Sequence, residues 1–155
     1  MSALSVYHTS DSAELITQIM LNNKKVVGHA LAIGEVANGT ILDICDEFQV
    51  TNDLTKPVMI SARLWLSPAQ TITIGTDGLP VGCTPLNQDN CTNVTPEPGQ
   101  HHYTVSKNAK FQAPRDMGNS FVLLVVHAEA DSLPATTFLS VNRGNGSLQV
   151  IKTSP

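Results

Sequence analysis

The clearest candidate for ligand recognition is a tryptophan on the polar side of an alternating segment. Between Val58 and Leu66 every second residue is apolar, and Arg63 and Trp65 fall in the other register. An aromatic ring on such a face can stack on the apolar C–H surface of a sugar, whose hydroxyls bond to Arg, Asn and Asp. The alternative is that this face is buried, and that Trp65 and Met59 belong to a core or an interface. We predict a ligand site formed by Trp65, Arg63, Asn87, Asp89 and Tyr103.

Two members of this predicted site lie in a segment that contains almost nothing apolar. Gly82 to Gly99 is rich in Asn, Thr and Pro, so we expect a long loop. A loop of this length in a compact domain is usually functional or mobile. It therefore suits a partner-docking or ligand-contacting role.

A second constellation consists of histidines that could bind a metal. Histidine and carboxylate ligands inside a jelly-roll barrel form the metal site of cupins, so a cupin-type enzyme is one hypothesis. The paired His-x-His and downstream glutamate of that pattern are missing, and a core or interface role is the simpler interpretation. The set comprises His29, His101, His102 and His127, with Glu129 or Asp131 as the carboxylate.

The densest acidic group surrounds a predicted strand and the turn after it. Carboxylates such as Asp43, Asp46, Glu47 and Asp53 are the hard oxygen ligands that calcium prefers. No DxDxDG loop is present, and acidic residues that alternate along a strand usually form a solvated face. We therefore predict no bound cofactor, with calcium as the alternative.

The three cysteines, Cys45, Cys83 and Cys91, indicate no zinc site, because there is no CxxC pair and no evident fourth ligand. Cys83 and Cys91 flank a turn-rich stretch that a disulfide could close. Free thiols and one such bridge stay open as alternatives.

No catalytic motif occurs in the sequence. The patterns GxSxG, HExxH, GxxxxGK[ST] and GxGxxG are all absent, so nucleophile-elbow, zincin, P-loop and dinucleotide sites have no motif support. We therefore predict a protein that is not an enzyme.

Composition and charge narrow the class further. The 155 residues are 41% hydrophobic and only 14% charged, and the formal net charge is -4. An acidic balance argues against nucleic-acid binding, and no apolar run is long enough for a membrane span. The N-terminus lacks a secretory signal, which predicts a cytoplasmic protein or one exported without a leader. Because so sparsely charged a chain offers little surface to water, we expect a homo-oligomer.

The elements that must position these residues are mostly strands. Alternation predicts strands at 26–33, 41–50, 58–66, 71–75 and 103–111, and the apolar run 121–128 predicts a central strand covered on both faces. Leu42, Ile44, Phe48 and Val50 share one face, which Asp46 interrupts. Segments 137–141 and 148–151 predict a closing hairpin around an Asn-Gly turn. Near the N-terminus, Asp11 to Glu14 resembles a capping box before a short helix, with a strand over 14–21 as the alternative.

These elements predict an all-β fold, a single-domain antiparallel β-sandwich of jelly-roll type over residues 1–155. The main hypothesis is a lectin-like module that recognises a glycan or a cell surface and gains avidity by oligomerising. The alternative is a structural or assembly subunit of a virion, an appendage or a surface layer, with no small-molecule ligand. The cupin-type enzyme ranks third.

Overall fold

The computed structural model describes residues 3–8, 16–86, 92–131, 133–134, 137–142 and 146–155. All regular secondary structure in these ranges is β-strand. No helix long and apolar enough to cross a membrane occurs in them. The strands are β1 (Leu4–His8), β2 (Gln18–Met20), β3 (Val26–Val36), β4 (Ile41–Thr51), β5 (Met59–Ser67), β6 (Thr84–Pro85), β7 (Thr92–Val94), β8 (Tyr103–Gln112), β9 (Gly118–Glu129), β10 (Phe138–Val141) and β11 (Ser147–Thr153).

The strands form two antiparallel sheets that pack as a jelly-roll-like sandwich, which confirms the predicted fold class. Sheet A has the order β1-β11-β4-β10-β2, and β8 pairs with the other edge of β4. Sheet B has the order β3-β9-β5, continued by β6 and β7 along the outer edge of β5. Strands β4 and β9 are therefore central, and their inner faces carry much of the core.

The core follows from the period-two alternation of the central strands. In β4, Leu42, Ile44, Phe48 and Val50 are buried, as predicted, whereas the intervening Asp43, Cys45 and Glu47 are exposed. In β9 both registers are apolar because both faces are covered. One register joins the main core between the sheets, and the other joins a smaller cluster on the outer face of sheet B.

Four expectations about local structure need correction. Residues 18–20 form a strand where the helix was favoured, because they pair with β10; the proposed cap at 11–14 lies outside the described residues. Segment 71–75 forms only an isolated bridge, between Ile74 and Pro80. Strands β10 and β11 do not pair as a hairpin: they lie one after the other along the same edge of β4. The loop predicted at 82–99 contains two short strands, β6 and β7.

Irregularities in β3 decide which of its side chains enter the sandwich. The register with β9 shifts between Val27 and His29, so Gly28 is the extra residue of a bulge. The bulge turns His29 to the inner face, where it is 1% exposed. A second shift ends at Gly34, whose φ of 70° is one that glycine adopts without strain.

A buried lysine links the two sheets beside this second bulge. The Lys152 ammonium, on β11 of sheet A, donates to the carbonyls of Ile33 and Glu35 in β3 at 2.7 and 2.9 Å. It also lies 5.1 Å from the centroid of the Tyr7 ring. The buried charge is therefore hydrogen-bonded, as burial of an ammonium requires.

Candidate functional site

The predicted pair Arg63 and Trp65 lies on the outer face of β5. The other register, Ile60, Ala62 and Leu64, points into the main core, as the alternation indicated. The Arg63 guanidinium carbon lies 4.7 Å from the centroid of the Trp65 ring, within cation–π range. The structure thus brings these two predicted residues together.

Trp65 is nevertheless part of a core rather than an open platform. It is only 4% exposed and clusters with Ala30, Leu123 and Val125 on the outer face of sheet B. Partly buried side chains that pack against this cluster include Ile72, Ile74 and Cys83, from the segment that follows β5. A sugar ring stacks on an exposed aromatic face, so the burial favours the core interpretation of Trp65.

The other predicted ligand residues do not complete a site around this pair. Tyr103 lies in β8 of the opposite sheet, where it pairs with Val50 and packs against the main core. Asn87 and Asp89 lie outside the described residues. A shared site for all five residues therefore stays a prediction, and Tyr103 lies on a different sheet from Arg63 and Trp65.

A small cavity beside Arg63 gathers residues that sequence reasoning did not group. It has a volume of about 70 Å³ and is lined by Lys25, Ser61, Ala62, Arg63, Trp65, Val125 and His127. Ser61 and His127 are directly opposed on β5 and β9, and Arg63 opposes Val125 in the next row. The shared register of Ser61 and Arg63 on β5 is visible in the sequence, but their proximity to Lys25 depends on how the strands pair.

The four histidines of the cupin hypothesis are not brought together. His29 is inside the sandwich, while His101 lies 3.7 Å from Asp53 and His127 lies 3.9 Å from Glu129, on different parts of the surface. The acidic group is divided as well, because Asp46 points inward and Asp43 and Glu47 point outward. Among the described residues no group of three or more His, Cys, Asp or Glu side chains is placed to hold a metal ion. The cupin-type set is therefore not assembled.

Asp46, which interrupts the apolar face of β4, finds a partner across the sandwich. Its Oδ1 is 2.9 Å from Nδ1 of His29, and both residues are 1% exposed. The second carboxyl oxygen, Oδ2, is buried without a hydrogen bond. Burial raises the pKa of Asp46, and the hydrogen bond and charge of His29 oppose that rise. The pair links β3 of one sheet to β4 of the other.

Two of the cysteines are free thiols. Cys45 is exposed on β4, and burial together with the charges of Asp46 and Glu47 raises the pKa of its thiol. The Cys83 thiol donates to the carbonyl of Val81 at 3.7 Å. Cys91 lies outside the described residues, and a raised pKa gives Cys45 little thiolate character.

The edge of sheet A displays exposed apolar side chains. Strand β1 pairs with β11 on one side, and no strand pairs with its other side in the described part of the chain. Its outward side chains Leu4 and Val6 are 66% and 56% exposed, and Val6 lies opposite the half-buried Ile151. A free edge with apolar side chains is a surface to which another strand or subunit can bind.

Solved structures with a similar fold come from virus particles. No protein-family model matches the chain, and no curated protein matches it by sequence. The chain resembles proteins in T=1 particles derived from infectious bursal virus (TM-score 0.59, 13% identity, 97% of this chain and 35% of the other). It also resembles proteins in the infectious bursal disease virus VP2 subviral particle (TM-score 0.56, 13% identity, 97% and 36%) and in the T13 viral particle (0.56, 13%, 99% and 35%).

These similarities establish a shared fold. The whole of this chain corresponds to about a third of the length of each of those proteins.

Proposed function

We propose that this chain is a structural subunit that associates with further copies of itself in a virion-like or similar protein assembly. The observation that carries the proposal is edge strand β1, whose outer edge pairs with no strand among the described residues and whose Leu4 and Val6 are 66% and 56% exposed. Monomeric proteins usually protect such edges with charges, prolines or bulges, and β1 has none of these. Apolar edge residues gain free energy when a neighbouring subunit covers them.

Two further observations support this role. The similar structures are proteins of virus particles, and the likeness extends over 97% to 99% of this chain. The chain also has few charged residues, 14% of the total, which suits a protein that buries surface against neighbours. Carbohydrate binding has less support, because the Trp65 ring is covered.

Analytical ultracentrifugation across the micromolar range tests the proposal. The wild-type chain should sediment as a species larger than 16.6 kDa, and Val6→Lys should shift the distribution toward that mass. Val81→Lys is the matched control, because Val81 is also exposed, at 62%, but lies in a turn outside sheet A. A wild-type chain that stays monomeric at all these concentrations would contradict the proposal. If Val6→Lys and Val81→Lys reduced assembly equally, β1 would not be the assembly surface.

A further inference from the structure

The cavity beside Arg63 is lined by hydrogen-bonding side chains from β5, from β9 and from the residue that precedes β3. Lys25 immediately precedes β3, His127 lies on the central strand β9, and Ser61 and Arg63 lie on β5. Because the order of these strands in sheet B is β3-β9-β5, their outward side chains converge above one small depression.

The lining of this cavity carries two cationic side chains, Lys25 and Arg63, and no carboxylate. Neither Lys25 nor Arg63 forms an ion pair with any residue in the described part of the chain. The nearby Glu129 lies 3.9 Å from His127, but its side chain is 51% exposed and does not line the cavity. Three of the chain's nine Lys and Arg residues, Lys24, Lys25 and Arg63, line this cavity or the one next to it. Asp77 lines a neighbouring cavity that shares Arg63 and Trp65, and its carboxylate accepts a hydrogen bond from the backbone N–H of Leu79.

One of these donors is buried without an acceptor. The Nε atom of Arg63 is inaccessible to solvent and makes no hydrogen bond, while its guanidinium rests 4.7 Å from the centroid of the Trp65 ring. A buried donor left unpaired is unfavourable. Because solvent does not reach Nε, an anion in the cavity would accept from the other N–H groups of the Arg63 guanidinium. The contact with Trp65 also fixes the plane of the guanidinium, which reduces the ordering that ligand binding requires.

The size of the cavity limits the ligand. Its volume of about 70 Å³ is several times the roughly 10–15 Å³ that one water molecule needs on the same measure, so the cavity admits a small polar group. A larger and more open cavity of about 440 Å³ adjoins it and shares Lys25 and His127 in its lining, together with Lys24, Thr76 and Gly78. A ligand could place its anionic end near Arg63 and extend its remainder over this second cavity.

We propose that the cavity lined by Lys25, Ser61, Arg63 and His127 binds a phosphate-class oxyanion. Such an anion offers several acceptor oxygens to the Lys25 ammonium, the Arg63 guanidinium and the neighbouring hydroxyl and imidazole groups. The source is either free inorganic phosphate or the phosphate of a small monoester whose remainder occupies the larger cavity. The inference does not rest on the proposed assembly role, because the site is on sheet B and β1 is on sheet A.

Trp65 provides the readout, because it is the only tryptophan and forms a wall of the cavity. Purified wild-type chain is titrated with sodium phosphate and, separately, with O-phosphoserine, while Trp fluorescence is recorded against sodium chloride at equal ionic strength. Saturable changes with the phosphates and none with chloride are expected. Tighter binding of O-phosphoserine assigns the site to a monoester, and tighter binding of phosphate assigns it to the free ion. No saturable change with either, in protein shown to be folded, overturns the proposal.

Variants locate the binding at this cavity. Lys25→Met and Arg63→Gln should each weaken the binding of phosphate by about tenfold or more, the usual effect of losing a charged hydrogen bond. Lys110→Met is the matched control, because Lys110 is exposed on β8 of the opposite sheet. Lys25 is only partly buried and immediately precedes β3, so its variant tests the site even if Arg63→Gln does not fold. Unchanged affinity in the Lys25 variant, or an equal loss in the Lys110 control, overturns the assignment.

Discussion

The buried pair of His29 and Asp46 offers a direct test of how the two sheets are held together. The pair joins β3 of sheet B to β4 of sheet A through one contact of 2.9 Å, and both side chains are 1% exposed. In His29→Leu the Asp46 carboxyl stays buried and loses its side-chain partner, although Oδ2 already has none. The pKa of Asp46, which burial already raises, should then rise further because the opposing effect of His29 is gone.

The magnitude follows from the burial. Removing one partner of a buried, hydrogen-bonded pair of ionisable groups costs about 3–5 kcal/mol when the group left behind stays charged, because it loses its partner where water does not reach it. Domains of ordinary size have a total stability of about 5–15 kcal/mol, so this loss is a large share of it. The double variant with leucine at both positions removes the stranded carboxyl as well. It should recover most of the loss, since apolar replacements of buried pairs are often neutral or stabilising.

The assay is urea denaturation at pH 7 of the wild type, the two single leucine variants and the double variant. Trp65 fluorescence reports unfolding, because the ring is 4% exposed in the folded state. The double-mutant cycle subtracts whatever else each side chain contacts and isolates the energy of the pair. Two results would refute the reasoning that the Asp46 carboxyl depends on His29. One is that the losses in free energy of unfolding of the two single variants add up in the double variant; the other is a loss below about 1 kcal/mol in His29→Leu.

Three further outcomes follow from the same structure. The pKa of Asp46 is raised in the folded state, so its contribution to stability is present below about pH 3.8 and is lost as the pH rises through the folded pKa. Asp46→Asn should therefore flatten that part of the profile of unfolding free energy against pH. An unchanged profile would contradict the raised pKa. Trp65→Ala should lower the free energy of unfolding by about 3–5 kcal/mol, measured by urea denaturation with circular dichroism. Met59→Ala, at a site 41% exposed, should change it by about 0.5 kcal/mol or less. Similar losses in the two variants would show that the Trp65 cluster is not a core. Lys152→Met should cost about 2 kcal/mol by the same assay, because it removes the donor from one buried and one partly buried carbonyl of β3. A neutral result would mean that water replaces the ammonium.

The sequence determined the faces of the long strands. In β4, β5 and β9 the side chains alternate between two environments because successive residues of a strand point to opposite sides, and a local period of two is legible without any partner. The same reasoning placed Asp46 on the inner face before its partner was known. The low share of charged residues and the lack of the catalytic motifs searched for likewise narrowed the expected classes of function.

Only the tertiary structure decided which strands are neighbours. The sequences of β10 and β11 are typical of a hairpin, but both strands pair with β4 instead of with each other. Residues 18–20 form a strand because they pair with β10. Such choices depend on contacts between residues distant in sequence, which local propensity does not encode.

The candidate sites depend on the same distant contacts. His29 reaches Asp46 because a bulge at Gly28 turns it inward. Lys25 and Arg63 line the same cavity because β3 and β5 flank β9 in sheet B. The covering of Trp65 depends on where the segment after β5 folds back. The sequence by itself therefore determined which residues could face inward or outward, since that follows from local geometry. The pairing of strands and the packing of the two sheets determined which of these residues come into contact. The free energy that favours this arrangement comes from burial of apolar surface across the whole sandwich.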